Sequence, residues 1–279
     1  MVTVEKKKQL TLRDVQMVSL EIFLDVHEFC MNNGIKYFMS GGTLLGAVRH
    51  KGFIPWDDDV DIFMLRPDYD RFIASYQSDR YVLLTMDNDK DYFLPYAHIA
   101  DMDQTVIEYN YDPFSRKKTG VKIDIFPLEA VSNDEREFDR QFNRGCMLWT
   151  VFSRARTVFW QFSKDKTLKY NIGLLVRRVV TLGGKLVFYL SHLIDRNARK
   201  YKFGSTDYVS LLSFPVMRAK QRHRLDVFSE TVLLDFEGHK LCAPIKYEEF
   251  LTTAFGPDYM TPPPPDQRVG PHTMRIYYK

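Results

Sequence analysis

The sequence predicts an α+β chain, a mixed β-sheet flanked by helices, and three observations predict it. Apolar residues recur at helical spacing from Leu12 to Phe29. Two short segments alternate instead, Asp59-Val60-Asp61-Ile62 and Val121-Lys122-Ile123-Asp124-Ile125, which is the period of a strand. From Asp134 to Lys200 the pattern is helical again. With 279 residues, 45% of them hydrophobic, the chain is long enough for a sizeable core, and no internal repeat or low-complexity linker divides it.

The Lys-rich start, Met1 to Gln9, lacks the apolar run of an export signal, which predicts a cytoplasmic protein. A helix follows, with Thr11 or Asp14 near its start and Gly34 as its stop. His27 on it has no second ligand at i+3 or i+4 and reads as a surface or packed histidine. Tyr37-Phe38-Met39 is a short strand that delivers Ser40-Gly41-Gly42-Thr43 into a turn, after which Leu44 to Val48 fits a helix. Glycines there let the backbone approach phosphate oxygens, and free N–H groups at a helix start favour an anion. Arg49, His50 and Lys51 form a small basic group able to meet phosphates, and Trp56 either stacks on a base or fills a core edge.

The carboxylates Asp57, Asp58, Asp59 and Asp61 come next. On a strand Asp59 and Asp61 share a face while Val60 and Ile62 point into a core. Carboxylates held side by side repel unless a cation lies between them, and hard oxygen ligands suit Mg2+ or Mn2+. A solvated acidic loop does not need the apolar continuation from Val60 to Leu65, and no Gly and Glu stand where an EF-hand loop requires them. Metal-assisted phosphoryl transfer needs a further acid from another strand, and Asp124, between Gly120 and Pro127, is placed to supply it.

Pro67 to Ile73 opens another helix, while Tyr81–Leu84 and Thr105–Tyr109 read as strands of the sheet that holds Asp124. Asp101 and Glu108 read either as ordering or binding acids or as surface acids. Between Leu174 and Ile194 an apolar region is broken by Arg177, Arg178 and Lys185, so it is not a simple spanning helix. It reads either as a bundle packed on the rest of the chain or as a basic amphipathic surface in peripheral contact with a membrane. Thr231 to Pro244 is a hairpin with Gly238 in its turn, Tyr247 to Phe255 a helix, and Thr261 to Pro265 an extended run. Cys30, Cys146 and Cys242, far apart and odd in number, suit core thiols in a reducing compartment. A net charge of +3 demands no nucleic-acid partner.

A glycine turn, an Asp-x-Asp strand and a single Asp on a later strand resemble the nucleotidyltransferase superfamily, and GGTLLGAVRHKGFIPWDDDVDI, Gly41 to Ile62, is similar to the LicD family. Weaker likeness covers Phe29–Tyr37 and Phe255–Pro263. The resemblance implies a nucleotidyltransferase-type sheet, a Mg2+ or Mn2+ cofactor held by Asp59, Asp61 and Asp124, a cytidine diphosphate-linked donor, and a glycan or lipid-linked glycan acceptor at the cell envelope. Phosphocholine is one candidate for the transferred group, and Asp124 is a candidate proton acceptor. Gly41, Gly42, Thr43, Arg49, His50, Lys51, Trp56, Asp57, His98, Asp101 and, in a returning tail, Arg268 and His272 are the expected substrate contacts. The family pattern carries Lys at the place of His98 and often Arg at that of Ala100, so fixed positive charge is missing there. The simplest division is a core over 1–133, a helical insertion over 134–204 and a C-terminal hairpin, helix and Pro-rich tail over 205–279. A glycosyltransferase with a metal-holding Asp-x-Asp strand is the rival enzyme, but several strands and helices would precede its motif. A non-catalytic relative that binds nucleotide or glycan is the other alternative.

Overall fold

The computed structural model describes residues 8–108, 119–156, 167–215, 221–268 and 275–279. Helix α1, Leu12–Asn33, starts where the sequence places it: the Thr11 hydroxyl accepts from the Asp14 N–H, and Asp14 Oδ2 accepts from the Thr11 N–H at 2.8 Å. It ends at Gly34, whose φ of 60° is the left-handed cap that glycine adopts without strain. Its inward face buries Val15, Val18, Ile22, Phe23, Val26 and Cys30.

The central sheet runs β1-β2-β6-β4-β3. Its strands are β1 (Phe38–Met39), β2 (Asp61–Leu65), β3 (Val82–Leu84), β4 (Ala97–Ala100) and β6 (Lys122–Val131). The β2–β6 pair is parallel and the other pairs are antiparallel. Helix α2, Gly41–His50, connects β1 to β2, and α3, Arg66–Ser75, follows β2 at once. Strand β5, Thr105–Glu108, does not join this sheet as the sequence suggested; it pairs with β11, Arg275–Tyr278, at the chain's end. The last strand lies some 170 residues away, a pairing that no local pattern announces.

Three helices follow β6: α4 (Glu135–Ala155), α5 (Leu168–Val180) and α6 (Lys185–Ala198). The chain then returns to the sheet. Strand β7, Tyr208–Leu211, pairs with the second half of β6, and β8, His223–Arg224, pairs with β7. A hairpin of β9 (Thr231–Phe236) and β10 (His239–Pro244) and helix α7 (Tyr247–Phe255) complete the fold. One apolar cluster runs from Leu10 to Ile276 through most of these parts, while α5 contributes no member, and a smaller one joins Val131, Phe138, Phe142, Ala198 and Leu212. Phe23 illustrates the joinery: its ring meets Tyr37 edge-on at 5.7 Å and Phe236 at 6.2 Å, and truncating such a side chain costs about 3–5 kcal/mol. Cys30 and Cys242 are buried and unbridged, as is half-buried Cys146, and burial pushes the Cys30 thiol up, so these are packing groups.

Candidate active site

The site begins with strand register. Asp61 on β2 stands beside Asp124 on β6, and Asp124 stands beside His98 on β4. Ser40, ahead of α2, donates its N–H to the Asp61 carbonyl at 3.1 Å. Ser40, Asp61, Asp124 and His98 therefore form one row across four neighbouring segments, on one face of the sheet. Phe63 and Phe126 form the next row beneath it, with Tyr96 against Phe126 at 4.5 Å.

Asp59 precedes β2 instead of lying on it; regular pairing starts only at Asp61. The stretch from Asp57 to Asp59 loops over the row, and carboxylate oxygens of Asp57, Asp58 and Asp59 lie within 4.8 Å of one another. Burial raises the Asp61 carboxyl well above its ordinary value, and the nearby charges of Asp59, Asp124 and Asp57 add to that rise. For Asp124 burial acts in the same direction, but the Lys122 ammonium and His98 outweigh it and hold this carboxyl well below the ordinary range. Lys122 Nζ donates to Asp124 Oδ1 at 2.6 Å, and His98 Nε2 lies 3.0 Å from the same oxygen. Burial, with Lys122 beside it, brings His98 down to about 4, so the ring is neutral at pH 7 and its proton belongs on Nε2. The carboxylates of Asp57, Asp59 and Asp124 raise Asp61 together, and the oxygens of Asp57, Asp58 and Asp59 are the ones brought closest. Hard oxygens gathered this way fit a divalent ion such as Mg2+ or Mn2+.

The glycines serve the acids. Gly41 has φ +49°, and a Cβ on it would lie 3.4 Å from Asp61 Oδ2; a Cβ on Gly42 would meet Asp57 Oδ2 at 2.4 Å. The first turn of α2 is thus opened to carboxylates, where the sequence suggested phosphate oxygens. The Thr43 hydroxyl oxygen accepts from the Asp61 N–H at 2.9 Å, so this buried side chain anchors the start of β2. One oxygen of Asp101 serves the backbone, while its Oδ2 is buried with no partner among the described residues. Its Oδ1 accepts from the N–H groups of Asp103 and Gln104, fixing the turn after β4. Lys51 caps α2 in a left-handed conformation; its carbonyl accepts from the Glu237 N–H and its charge acts on Asp235, so it belongs to the β9–β10 hairpin. Arg49 donates to the Tyr259 carbonyl at 2.9 Å, and burial together with Arg49 lowers His50. His50 meets half-buried Trp56 edge-on, and the Arg268 guanidinium lies over the Trp56 ring at 4.4 Å, so the tail does return to this neighbourhood. His272 lies outside the described residues.

Beside the row lies a cavity of about 290 Å³ lined by Ser40, Gly41 and Asp61 at one end and by Gln221 and His223 at the other. Between them the walls are Phe63, Phe126, Phe214, Phe250 and Phe255 with Leu128 and Leu211. His223 stacks on Phe250 at 4.8 Å and touches Gln221 at 3.0 Å. Ser40 Oγ is buried and has no partner among the described residues. Among the described residues Asp61 is the one carboxylate in the lining. Sequence reasoning named neither this cavity nor Lys122. The lysine was visible as the residue two before Asp124 on the same strand face; the cavity, assembled from residues 40 to 255, was not.

Residues 34–145 match the family described as LicD/FKTN/FKRP, nucleotidyltransferase domain. The chain is 29% identical over 97% of its length, and 99% of the relative's, to the lipopolysaccharide cholinephosphotransferase LicD of Haemophilus influenzae. An uncharacterized protein of Rickettsia prowazekii shares 45% identity over 65 residues, 23% of this chain and 24% of that one. Human ribitol 5-phosphate transferase FKRP shares 59% identity over 29 residues, which is 10% of this chain and 6% of the relative. The domain match takes in the whole acidic row, and the likeness to LicD spans nearly the whole length, so the chain carries a LicD-type nucleotidyltransferase domain over residues 34–145 and is similar to a LicD protein beyond it.

Proposed function

We propose that the chain transfers a substituted phosphate, phosphocholine or a group like it, from a cytidine diphosphate-linked donor to a sugar hydroxyl of a cell-surface or lipid-linked glycan. The observation that carries this reading is the row Ser40–Asp61–Asp124–His98 set against an aromatic cavity. The acceptor oxygen forms a bond to the distal phosphorus of the donor, the phosphoanhydride bond breaks, and cytidine monophosphate leaves. Asp59 and Asp61, with Asp124 at the edge, are the residues that would hold Mg2+ or Mn2+. When bound, that ion supplies charge to the phosphoryl oxygens and the leaving group.

The chain's own residues have separable tasks in this scheme. Asp124, oriented by Lys122 and His98, is a fixed negative charge. Held ionised in this way, it is the carboxylate we assign to take the proton of the acceptor hydroxyl. The Lys122 ammonium takes up the positive position for which the family pattern uses residue 98. The cavity has aromatic walls, one carboxylate and few hydrogen-bonding groups. Aromatic faces attract a quaternary ammonium, whereas a polyol would leave most of its hydroxyls unpaired here. That chemistry favours a phosphocholine-like substituent over a sugar alcohol phosphate. The acceptor would be met at the inner face of the membrane, by a protein among whose described residues no helix is long and apolar enough to cross it.

The test is incubation of the purified protein with Mg2+ or Mn2+ and a panel of cytidine diphosphate derivatives. Release of cytidine monophosphate, fastest with the choline derivative and with a phosphodiester product, is the expected result. No monophosphate from any donor, together with unfolding unchanged by metal and nucleotide, would sink the reading. A nucleoside diphosphate and a glycoside as products would replace it with glycosyl transfer.

A further inference from the structure

Helix α5 is built inside out. A surface helix ordinarily turns its apolar stripe to the core and its charges to water. Here Leu168, Ile172, Leu175, Val176 and Val179 recur at i, i+4, i+7, i+8 and i+11, an arc of about 100° on a helix of 3.6 residues per turn. Each of these side chains is between 52% and 75% exposed. Leu174, on the opposite side of the cylinder, is the helix's one buried residue. The apolar stripe thus points away from the protein, and Val180 and Leu182 extend it beyond the last turn with exposures of 69% and 70%.

The charges around the stripe have one sign. From Leu168 to Ile194 the sequence holds Lys169, Arg177, Arg178 and Lys185 and no Asp or Glu. A protein partner is usually matched by charges of both signs that fix its register. A helix that is apolar on one side, with Lys169 and Arg178 bordering the stripe and Arg177 behind it, matches instead a layer whose surface is anionic and whose interior is hydrocarbon. The helix has 13 residues, about 20 Å, and its arginines bar it from a spanning position. It can lie in the interface plane, with the stripe in the acyl boundary and the long basic side chains at the headgroups.

We infer that α5 is a docking element that seats the protein on an anionic phospholipid surface. The inference deepens the proposed function by saying where a lipid-linked acceptor is met, and it rests on that reading only for this purpose. The geometry of the helix stands whatever the transferred group is.

The experiment is flotation of the full chain with vesicles of phosphatidylcholine alone and of phosphatidylcholine mixed with phosphatidylglycerol. The comparison variant is Leu175→Asp combined with Val179→Asp, both at exposed positions where folding is unaffected; its cooperative unfolding is checked by circular dichroism. The expected result is that the wild-type chain floats with the anionic vesicles. The variant, and the wild type with neutral vesicles, partition on the order of tenfold less. Two results would overturn the inference: wild-type protein that stays at the bottom with both vesicles, or a variant that floats as well as the wild type. Light scattering that finds a dimer dissolved by the same two substitutions, with no flotation, assigns the stripe to a second copy and overturns it too. Cytidine monophosphate release measured without vesicles keeps the two proposals apart. Flotation without turnover leaves docking and removes the chemistry, and turnover without flotation does the reverse.

Discussion

Strand β6 carries two buried charge clusters on its two faces, and they are built on opposite terms. On one face Glu129 is paired with Arg66, which also reaches Asp70 at 3.1 Å and Asp195 at 3.6 Å, while Arg199 closes on both of those aspartates. There the chain supplies cations for its own acids. Five residues earlier and on the other face, Asp124 has Lys122, and burial drives the neighbouring Asp61 up, with the charges of Asp59, Asp124 and Asp57 adding more than Lys122 offsets. Burial also raises Glu129, and Arg66 opposes that rise, so even the paired cluster is costly in isolation. What separates them is the arrangement of charge among the described residues: the first cluster sets Arg66 and Arg199 among its three acids, whereas at the second neighbouring carboxylates raise one another, a repulsion that a bound cation would relieve.

The comparison is broken most severely at Asp61. Asp61→Asn is expected to lower turnover roughly a thousandfold, on the order of 4 kcal/mol of transition-state stabilisation, and Asp59→Ala to do likewise. Unlike an ordinary core substitution, Asp61→Asn should leave thermal stability unchanged or raised, because it removes a buried charge that folding alone does not balance. A folded Asp61→Asn protein with wild-type turnover would end the metal assignment. Arg66→Met should behave in the reverse way. It strands Glu129 without its partner and costs about 3–5 kcal/mol in denaturant unfolding, whereas Arg66→Met with Glu129→Met recovers most of that loss. Equal instability of the single and double variants would show that the pair is not the unit described here.

A smaller effect separates the cavity from the acids around it. Burial lowers His223 from 6.5 to about 4, so the folded ring stays neutral where the unfolded one takes up a proton. Its contribution is complete above about pH 6.5 and is lost as the pH falls towards 4, up to about 3 kcal/mol. Buried His98 acts in the same direction over the same window. His223→Gln should therefore flatten the acid limb of the stability profile only in part, read as unfolding free energy against pH. An unchanged limb would mean that the ring is protonated in the folded protein.

Much of this arrangement was legible in the letters because it is local. Thr11, Asp14 and Gly34 bound α1 through capping chemistry, and the alternation around Asp61 and Asp124 fixed which side chains share a face. The same local reading misjudged residues whose partners are distant or already taken. Thr43 and Asp101 look like ligands in a polar loop, yet the Thr43 hydroxyl oxygen and Asp101 Oδ1 already accept from backbone N–H groups, which leaves Asp101 Oδ2 as a buried oxygen without a partner among the described residues. Lys51 sits beside Arg49 and His50 in sequence, but the left-handed turn at the end of α2 sends it to the hairpin. The pairing of β5 with β11 and the wall of phenylalanines depend on contacts between segments far apart in the chain, where periodicity carries no information. Helix α5 is the instructive exception. Its period was plain, but which side of it would meet the protein was not, because a periodic stripe specifies a face and not what covers it.

The rim of the site offers the gentlest test of whether the acidic cluster faces a nucleotide. Arg268 lies over Trp56 with its guanidinium 4.4 Å from the ring centroid, and Trp56 directly precedes the acidic run at Asp57. Arg268 is exposed, so solvent screens the contact, and such a cation–π pair is worth about 0.5–1 kcal/mol. If the pair borders the donor pocket, Arg268→Gln should raise the KM for the donor by roughly two- to fivefold and leave kcat and thermal stability unchanged. A fall in kcat at constant KM would instead place Arg268 against the transferring phosphoryl group, and the boundary of the site would then have to be drawn through the tail.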